Sequence, residues 1–303
     1  MSLSYDVIVV GDYCFDIIFT GLGKFPELGK EVVAGGFGMV PGGSYNTAAA
    51  LHRLGVKVGW AGDFGNDELS AKALEWAEKE GLDRRLFVYH ARSLRRVTVA
   101  ASFRHDRAFI AFYDPDPNIP AGLKALPKVK ARCLYIPGLY YGAALDAGLA
   151  ILRAKRMKLV MDGNSNREAT LANPAVRRAI GQCEIFMPNA GEARRISGED
   201  ELRKAASKLA ELAHMVVVKD GANGAYAIAE GQMIHAPALE VTPVDTTGAG
   251  DCFNAGFLAA WLRGCPLEVC LKWGNIVGGL STLGFGGTGR VVTVEEVEAY
   301  LRG

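Results

Sequence analysis

The chain has no apolar run approaching the roughly 18 residues that a membrane-spanning helix needs. Its first such run, Val7 to Val10, is only strand length before Gly11-Asp12 interrupts it. No secretory leader and no membrane association are expected from that pattern. An excess of one charge is missing too: 34 Lys and Arg against 33 Asp and Glu leave a formal charge of +1. That balance argues against a nucleic-acid-binding surface and leaves small soluble partners as the expectation. Cysteine is sparse, with six residues at 14, 133, 183, 252, 265 and 270. No C-x-x-C pair and no zinc-like spacing occurs among them, so reduced thiols and a cytoplasmic location are expected. The chain also lacks G-x-x-x-x-G-K-[ST], which excludes a P-loop as the holder of any phosphate.

What is present is the composition of a globular protein, half of it hydrophobic and 22% charged over 303 residues. Short β-branched runs alternate with amphipathic segments, predicting an α/β fold: a mostly parallel sheet covered on both faces, in three layers. Val7 to Val10, Cys133 to Ile136, Leu159 to Met161, Ile185 to Met187 and Val216 to Val218 read as strands. Asn46 to Leu54 and Leu69 to Glu80 read as helices closed by Gly55 and Gly81, and Thr293-x-x-Glu296 reads as a capping box opening the last helix. In such a sheet ligands collect beyond the C-terminal strand ends, where Asp12, Asp16, Asp162 to Asn164, Asn189 and Lys219 to Gly221 fall. Residues 14–40 and 95–113 break the rhythm. They read as a small β-rich lid inserted into one domain spanning 1–303, the second segment a hairpin turning around His105-Asp106.

The stretch Asp245-Thr246-Thr247-Gly248-Ala249-Gly250-Asp251 runs into the apolar pattern of a helix. Two glycines allow close backbone approach, and the unpaired first-turn amides favour an anion. Asp251 in that turn would repel a phosphate unless a proton-bearing group such as a hydroxyl lies between them. An anion cradle beside a base is the minimal equipment for phosphoryl transfer to an alcohol. The competing reading is purely local: Thr247 caps a helix whose first turn contains Asp251. Upstream, Gly42-Gly43-Ser44-Tyr45-Asn46 precedes a helix, and Asp16 could accept hydrogen bonds from two neighbouring hydroxyls of one sugar ring.

Gly11 followed by Asp16, Pro26, Gly29 to Val32, Gly42-Gly43-x-x-Asn46 and Leu54-Gly55 resembles the N-terminal signature of the ribokinase-like, or PfkB, carbohydrate kinases. Asp245 to Phe257 resembles their C-terminal signature, and the likeness runs from residue 7 to about 290. It implies ATP-dependent phosphorylation of a sugar hydroxyl, with Asp251 as base and the amides of Gly248, Ala249 and Gly250 as anion hole. It further implies Asp16, Gly42, Gly43 and Asn46 at the substrate. Asn189 and Glu192 would organise Mg²⁺ through water. Lys219, Gly221, Gly224, Thr246, Asn275 and Gly278 would border the nucleotide. Lys219 departs from the family, where that position often carries threonine or serine. A homodimer through the lid is implied as well, and a monovalent cation is a further cofactor that the family admits.

An aspartate of ordinary pKa, near ~4, is a poor base for a sugar hydroxyl, so a late proton transfer is expected at Asp251. Arg104, His105 and Arg107 at the lid tip are either a clasp for an anionic substrate group or a solvated hairpin end, and both readings stay open. So do two uses of Tyr13, Phe37, Met39 and Tyr113, as stackers on a base or as packing. Gly284-Phe285-Gly286-Gly287-Thr288-Gly289 is a literal G-x-G-x-x-G but follows a helix-like run, so it reads as a loop near the nucleotide, and Cys252 reads as packing. A sugar or sugar acid is the favoured acceptor, with a nucleoside as the alternative. The rivals outside that class are a catalytically silent sensor and a dinucleotide-dependent oxidoreductase.

Overall fold

The computed structural model describes residues 3–103, 107–116, 120–165 and 167–302. The strands that organise it are β1 (Val7–Val10), β2 (Tyr13–Leu22), β3 (Gly36–Gly43), β4 (Val58–Ala61), β5 (Arg96–Phe103) and β6 (Arg107–Tyr113), then β7 (Cys133–Ile136), β8 (Lys158–Asp162), β9 (Ile185–Met187), β10 (Met215–Lys219), β11 (Ala225–Ala229) and β12 (Gln232–Ala236). The main helices are α1 (Ser44–Arg53), α2 (Glu68–Lys79), α3 (Ala143–Lys155), α4 (Pro174–Ile180), α5 (Ala190–Ser197), α6 (Leu202–Ala210), α7 (Ala249–Leu262), α8 (Leu267–Ser281) and α9 (Val294–Arg302).

Eight strands form one sheet in the order β12-β11-β10-β9-β8-β7-β1-β4. The six from β10 to β4 run parallel, while β11 and β12 extend the β10 edge antiparallel. Strand order reverses at β1, which lies between β7 and β4, so a crevice opens beyond the C-terminal ends there. Each parallel strand is buried on both faces. Val7 and Val9 share a core layer with α1, α7 and α8, whereas Ile8, Leu134 and Ile136 pack against α3 to α6. Each fully buried large side chain in these layers contributes roughly 1.5–3 kcal/mol.

The helix α7 is apolar nearly all round because it is covered on every side, with Cys252 to Ala260 buried without interruption. Its close approach to α8 requires glycine. A Cβ on Gly256 would lie 2.7 Å from the Trp273 carbonyl oxygen, and one on Gly278 would lie 3.0 Å from that of Ala249.

A second sheet of four strands, ordered β3-β2-β5-β6, is built from the two segments that broke the βα rhythm. The turn at His105-Asp106 lies outside the described residues, as does Arg104. Side chains alternate across this sheet. The pairings Asp16 with Thr98, Thr98 with Ala111 and Arg96 with Tyr113 put Asp16, Thr98 and Tyr113 on one face. Ile17 with Met39, Phe19 with Phe37 and Val97 with Phe112 fall on the other. At the last helix the expected capping box is only half formed. The Glu296 N–H donates to Thr293 Oγ1, but the Glu296 carboxylate is taken by Arg290. Among the described residues no helix is long and apolar enough to cross a membrane.

Candidate active site

The segment before α7 is shaped by Asp245, which is 5% exposed. Its Oδ1 accepts from the Thr247 N–H at 3.0 Å and from the Thr247 hydroxyl at 2.8 Å. Thr247 therefore does not cap the helix. The N-cap is Gly248, in left-handed backbone at φ 73° with no side-chain cap. With the cap position empty of side chain, the N–H groups of Gly248, Gly250 and Asp251 have no partner among the described residues, whereas that of Ala249 bends to the Thr246 carbonyl at 3.3 Å. Of the three amides expected at an anion, those of Gly248 and Gly250 are thus open while a 3.3 Å turn bond occupies the middle one, and that of Asp251 is open as well. Asp245 Oδ2 accepts from the Gly286 N–H at 2.8 Å, tying the glycine-rich loop to the start of α7. A Cβ on Gly248 would meet Gly287 Cα at 2.6 Å and Asn46 Nδ2 at 2.7 Å.

Asn46 reaches the site from the first turn of α1 and is 2% exposed. Its Nδ2 donates to Asp251 Oδ2 at 3.0 Å, while its buried Oδ1 has no partner. Asp251 is half-buried, and its carboxyl is pushed up to about 7. Burial is the main cause; Asp162 and Asp16 push in the same direction, and the Asn46 hydrogen bond and the Lys219 ammonium oppose them. The ordinary value near ~4 expected for this base is therefore corrected, because the ionised form loses its hydration here. Asp16 projects from β2 on the site-facing side of the second sheet and is raised to about 6, again chiefly by burial. A Cβ on Gly42 would fall 2.0 Å from Asp16 Oδ2, so this glycine makes room for that carboxylate.

A second group of charges stands at the ends of β8, β9 and β10. Asp162 closes β8 and is 5% exposed. Its Oδ1 accepts from the Asn164 N–H at 3.1 Å, and its Oδ2 accepts from Lys219 Nζ at 2.5 Å and from the amide of Asn254. Asn189 and Glu192 are locked to each other at the start of α5. Asn189 Oδ1 accepts from the Glu192 N–H, and Glu192 Oε2 from the Asn189 N–H. Glu192 Oε1 has no partner among the described residues, and the carboxyl is raised by burial and then by Asp162.

The remaining expected site residues separate. Gly43 is in left-handed backbone at φ 65°, with Ser44 donating its hydroxyl to the Asp12 carbonyl. Thr246 is exposed beside the cradle. Gly221 opens a 3-10 turn with nothing within 4 Å of its Cβ position, so it is accessible to a ligand. Gly224 is required by a turn instead, for a Cβ there would strike the Ala236 carbonyl oxygen. Asn275 spends its amide N–H groups on the carbonyls of Ala236 and Pro237, and Gly278 packs against Phe253 and the Ala249 carbonyl. Arg107 opens β6, paired with Ser102. Tyr13 is a core residue, stacked on Phe64 and donating to the Leu94 carbonyl. Cys252 points away from Asp251 and donates to the Gly287 carbonyl at 2.8 Å. The G-x-G-x-x-G stretch neither follows a strand nor opens a helix.

Sequence reasoning missed Arg96. It is 8% exposed and bridges Asp12 at 2.9 Å and Asp116 at 2.7 Å beside the Asp16 side of the second sheet. It also left Asn254 without a role, although this residue holds Asp162 from within α7. A separate cavity of about 310 Å³, lined by Leu149, Leu152, Lys158 and Glu184 among others, opens at the N-terminal ends of β8 and β9, away from Asp251.

The family described as pfkB family carbohydrate kinase matches residues 5–292. A ribokinase of Bacillus subtilis is 27% identical over 300 residues, covering 98% of this chain and 99% of that one. A nucleoside kinase of Methanothermobacter thermautotrophicus is 28% identical over 294 residues, covering 91% and 89%. Among solved structures, Arabidopsis thaliana ribokinase complexed with ribose and ATP superimposes with a TM-score of 0.81 at 20% identity, covering 99% of this chain and 100% of that chain.

Proposed function

The chain belongs to the pfkB family of carbohydrate kinases, and we propose that it passes the terminal phosphoryl group of ATP to a hydroxyl of a small sugar or sugar acid. The observation that carries this reading is the Asn46–Asp251 pair facing the free amides of Gly248, Gly250 and Asp251. In the proposed step the acceptor oxygen bonds to phosphorus as the bond from phosphorus to the departing ADP oxygen breaks, and the hydroxyl proton moves to Asp251. A carboxylate poised near neutrality suits that task better than one at ~4. Asp16 and the orphaned Asn46 Oδ1 offer acceptors to the sugar's other hydroxyls.

The site chemistry fits Mg²⁺ held through water. Glu192 keeps one unpartnered carboxylate oxygen and faces Asp162, and a cation between them relieves their mutual repulsion. Bound there, the ion would neutralise charge on the phosphates. A nucleoside acceptor is the second reading, favoured by half-exposed Tyr113 on the Asp16 face, where its ring is available to a base. The free state of all six cysteines agrees with a reducing, cytoplasmic setting.

A coupled assay over pentoses, hexoses, sugar acids and nucleosides identifies the acceptor. Asp251→Asn is expected to lower kcat by about 10²–10⁴-fold while the affinities for ATP and acceptor stay within roughly threefold. Near-normal turnover in that variant overturns the assignment.

A further inference from the structure

Lys219 ends β10, and its side chain is 12% exposed. Its ammonium turns back over the site to Asp162 Oδ2 at 2.5 Å. That is its one protein acceptor among the described residues, so two of its three N–H bonds are unspent. Asp162 does not need it for hydrogen bonding, since Asn164 and Asn254 already donate to its two oxygens. The ammonium also lies 3.7 Å from the position a Cβ on Gly250 would occupy, and only the Lys219 side chain comes within 4 Å of that position. A largely buried, half-satisfied cation therefore stands beside Gly250, whose N–H has no partner among the described residues.

We infer that Lys219 is a further catalytic residue, whose ammonium holds the oxygens of the phosphoryl group in flight while Asp162 keeps it beside Gly250. The inference rests on the kinase reading above and gives a catalytic role to a residue that the resemblance placed only at the border of the nucleotide. Its location explains why a lysine stands among acidic groups: it lowers the carboxyls of Asp251 and Glu192, which Asp162 raises. A flexible ammonium can be shared between Asp162 and an arriving phosphate without unfolding any backbone, a use to which the planar guanidinium of arginine is less suited.

The rival role is a merely structural ion pair, and two variants separate them. Lys219→Met is expected to lower kcat by about 10²–10³-fold, the usual effect of losing one donor to a developing anion, with acceptor KM within roughly threefold. Calorimetry with Mg²⁺ reads the contact without turnover. The ratio of affinities for a non-hydrolysable ATP analogue and for ADP is expected to fall about tenfold, since the Lys219 contact is a charge-assisted one. The double variant Asp162→Asn/Lys219→Met removes both members of the ion pair, so neither is left without the other, and keeps the test independent of folding. It is expected to melt near wild type and to stay as slow as the single variant. A kcat within threefold of wild type in Lys219→Met, recovery of wild-type kcat in the double variant, or an unchanged affinity ratio would each overturn the inference. If the unmodified protein phosphorylates no acceptor, the kinase reading fails instead, and the affinity ratio still reports on Lys219.

Discussion

Burial sets the chemistry of Asp251 at the scale of single residues. A carboxyl lifted to about 7 is ionised only above neutrality, so the acid limb of kcat/KM is expected to fall with unit slope below pH ~7. A limb near pH 4 would show that the site leaves the carboxylate hydrated. The same shift acts on stability with a definite sign. The folded-state pKa lies above the unfolded one, so nothing is lost below pH ~4, and the ionised, desolvated carboxylate costs stability as pH rises through about 7. Asp251→Asn is accordingly expected to be more stable than wild type at pH 8, by on the order of 1–4 kcal/mol. The gap should close by pH 4, as urea titrations at the two pH values will show. Asp16, Asp162, Lys219 and Asn46 are the neighbours that set the shift. The position of Asp251 was legible because glycines and a carboxylate in one helical turn leave few uses. Its pKa was not, since it is set by burial in the folded chain and then by the charges of Asp162 and Asp16, 89 and 235 residues away in the chain.

Among the secondary-structure elements, the glycine-rich loop after α8 depends on one arginine. Arg53, in the last turn of α1, is paired with Glu80 at 2.6 Å, with 12% and 15% of the two side chains exposed. Its other arm donates to the Thr288 carbonyl at 2.9 Å. Removing the guanidinium strands a buried carboxylate and releases the loop that presses on Asn46 and Gly248. Arg53→Met is expected to cost about 3–5 kcal/mol in urea unfolding and to lower kcat as well. An unchanged unfolding midpoint would contradict this account. Elements with strong periodicity were readable from sequence: β1, β7 and β9 fall where the β-branched runs predicted, and α1 and α2 lie within two residues of expectation. The strands β4, β11 and β12 were not. Gly59 interrupts β4, β11 is alanine-rich, and β12 carries polar residues as the edge strand of the sheet, so none of the three has the β-branched signature of a buried strand.

For the whole molecule, the order of βα units predicted a three-layer body, and two irregular segments predicted extra strands. Their pairing into one four-stranded sheet could not be read, because β2 and β5 join in parallel across 73 intervening residues. Register also decided what patterning left open: Phe37 and Met39 face away from Asp16, while Tyr113 faces with it. That far face exposes Phe37, Met39, Ile110 and Phe112 together, an apolar patch suited to a second copy of the chain. The protein is expected to sediment as a homodimer, with Ile110→Lys shifting it toward monomer in light scattering; an unchanged mass would place the interface elsewhere.

No linker separates β3 from α1: the strand ends at Gly43 and the helix begins at Ser44. The two elements thus behave as a crank with a single swivel. Any tilt of the outer sheet turns the shaft that carries Asn46, and through it the grip on Asp251. In the proposed kinase, covering the acceptor and aligning the group that takes its proton would then be one stroke.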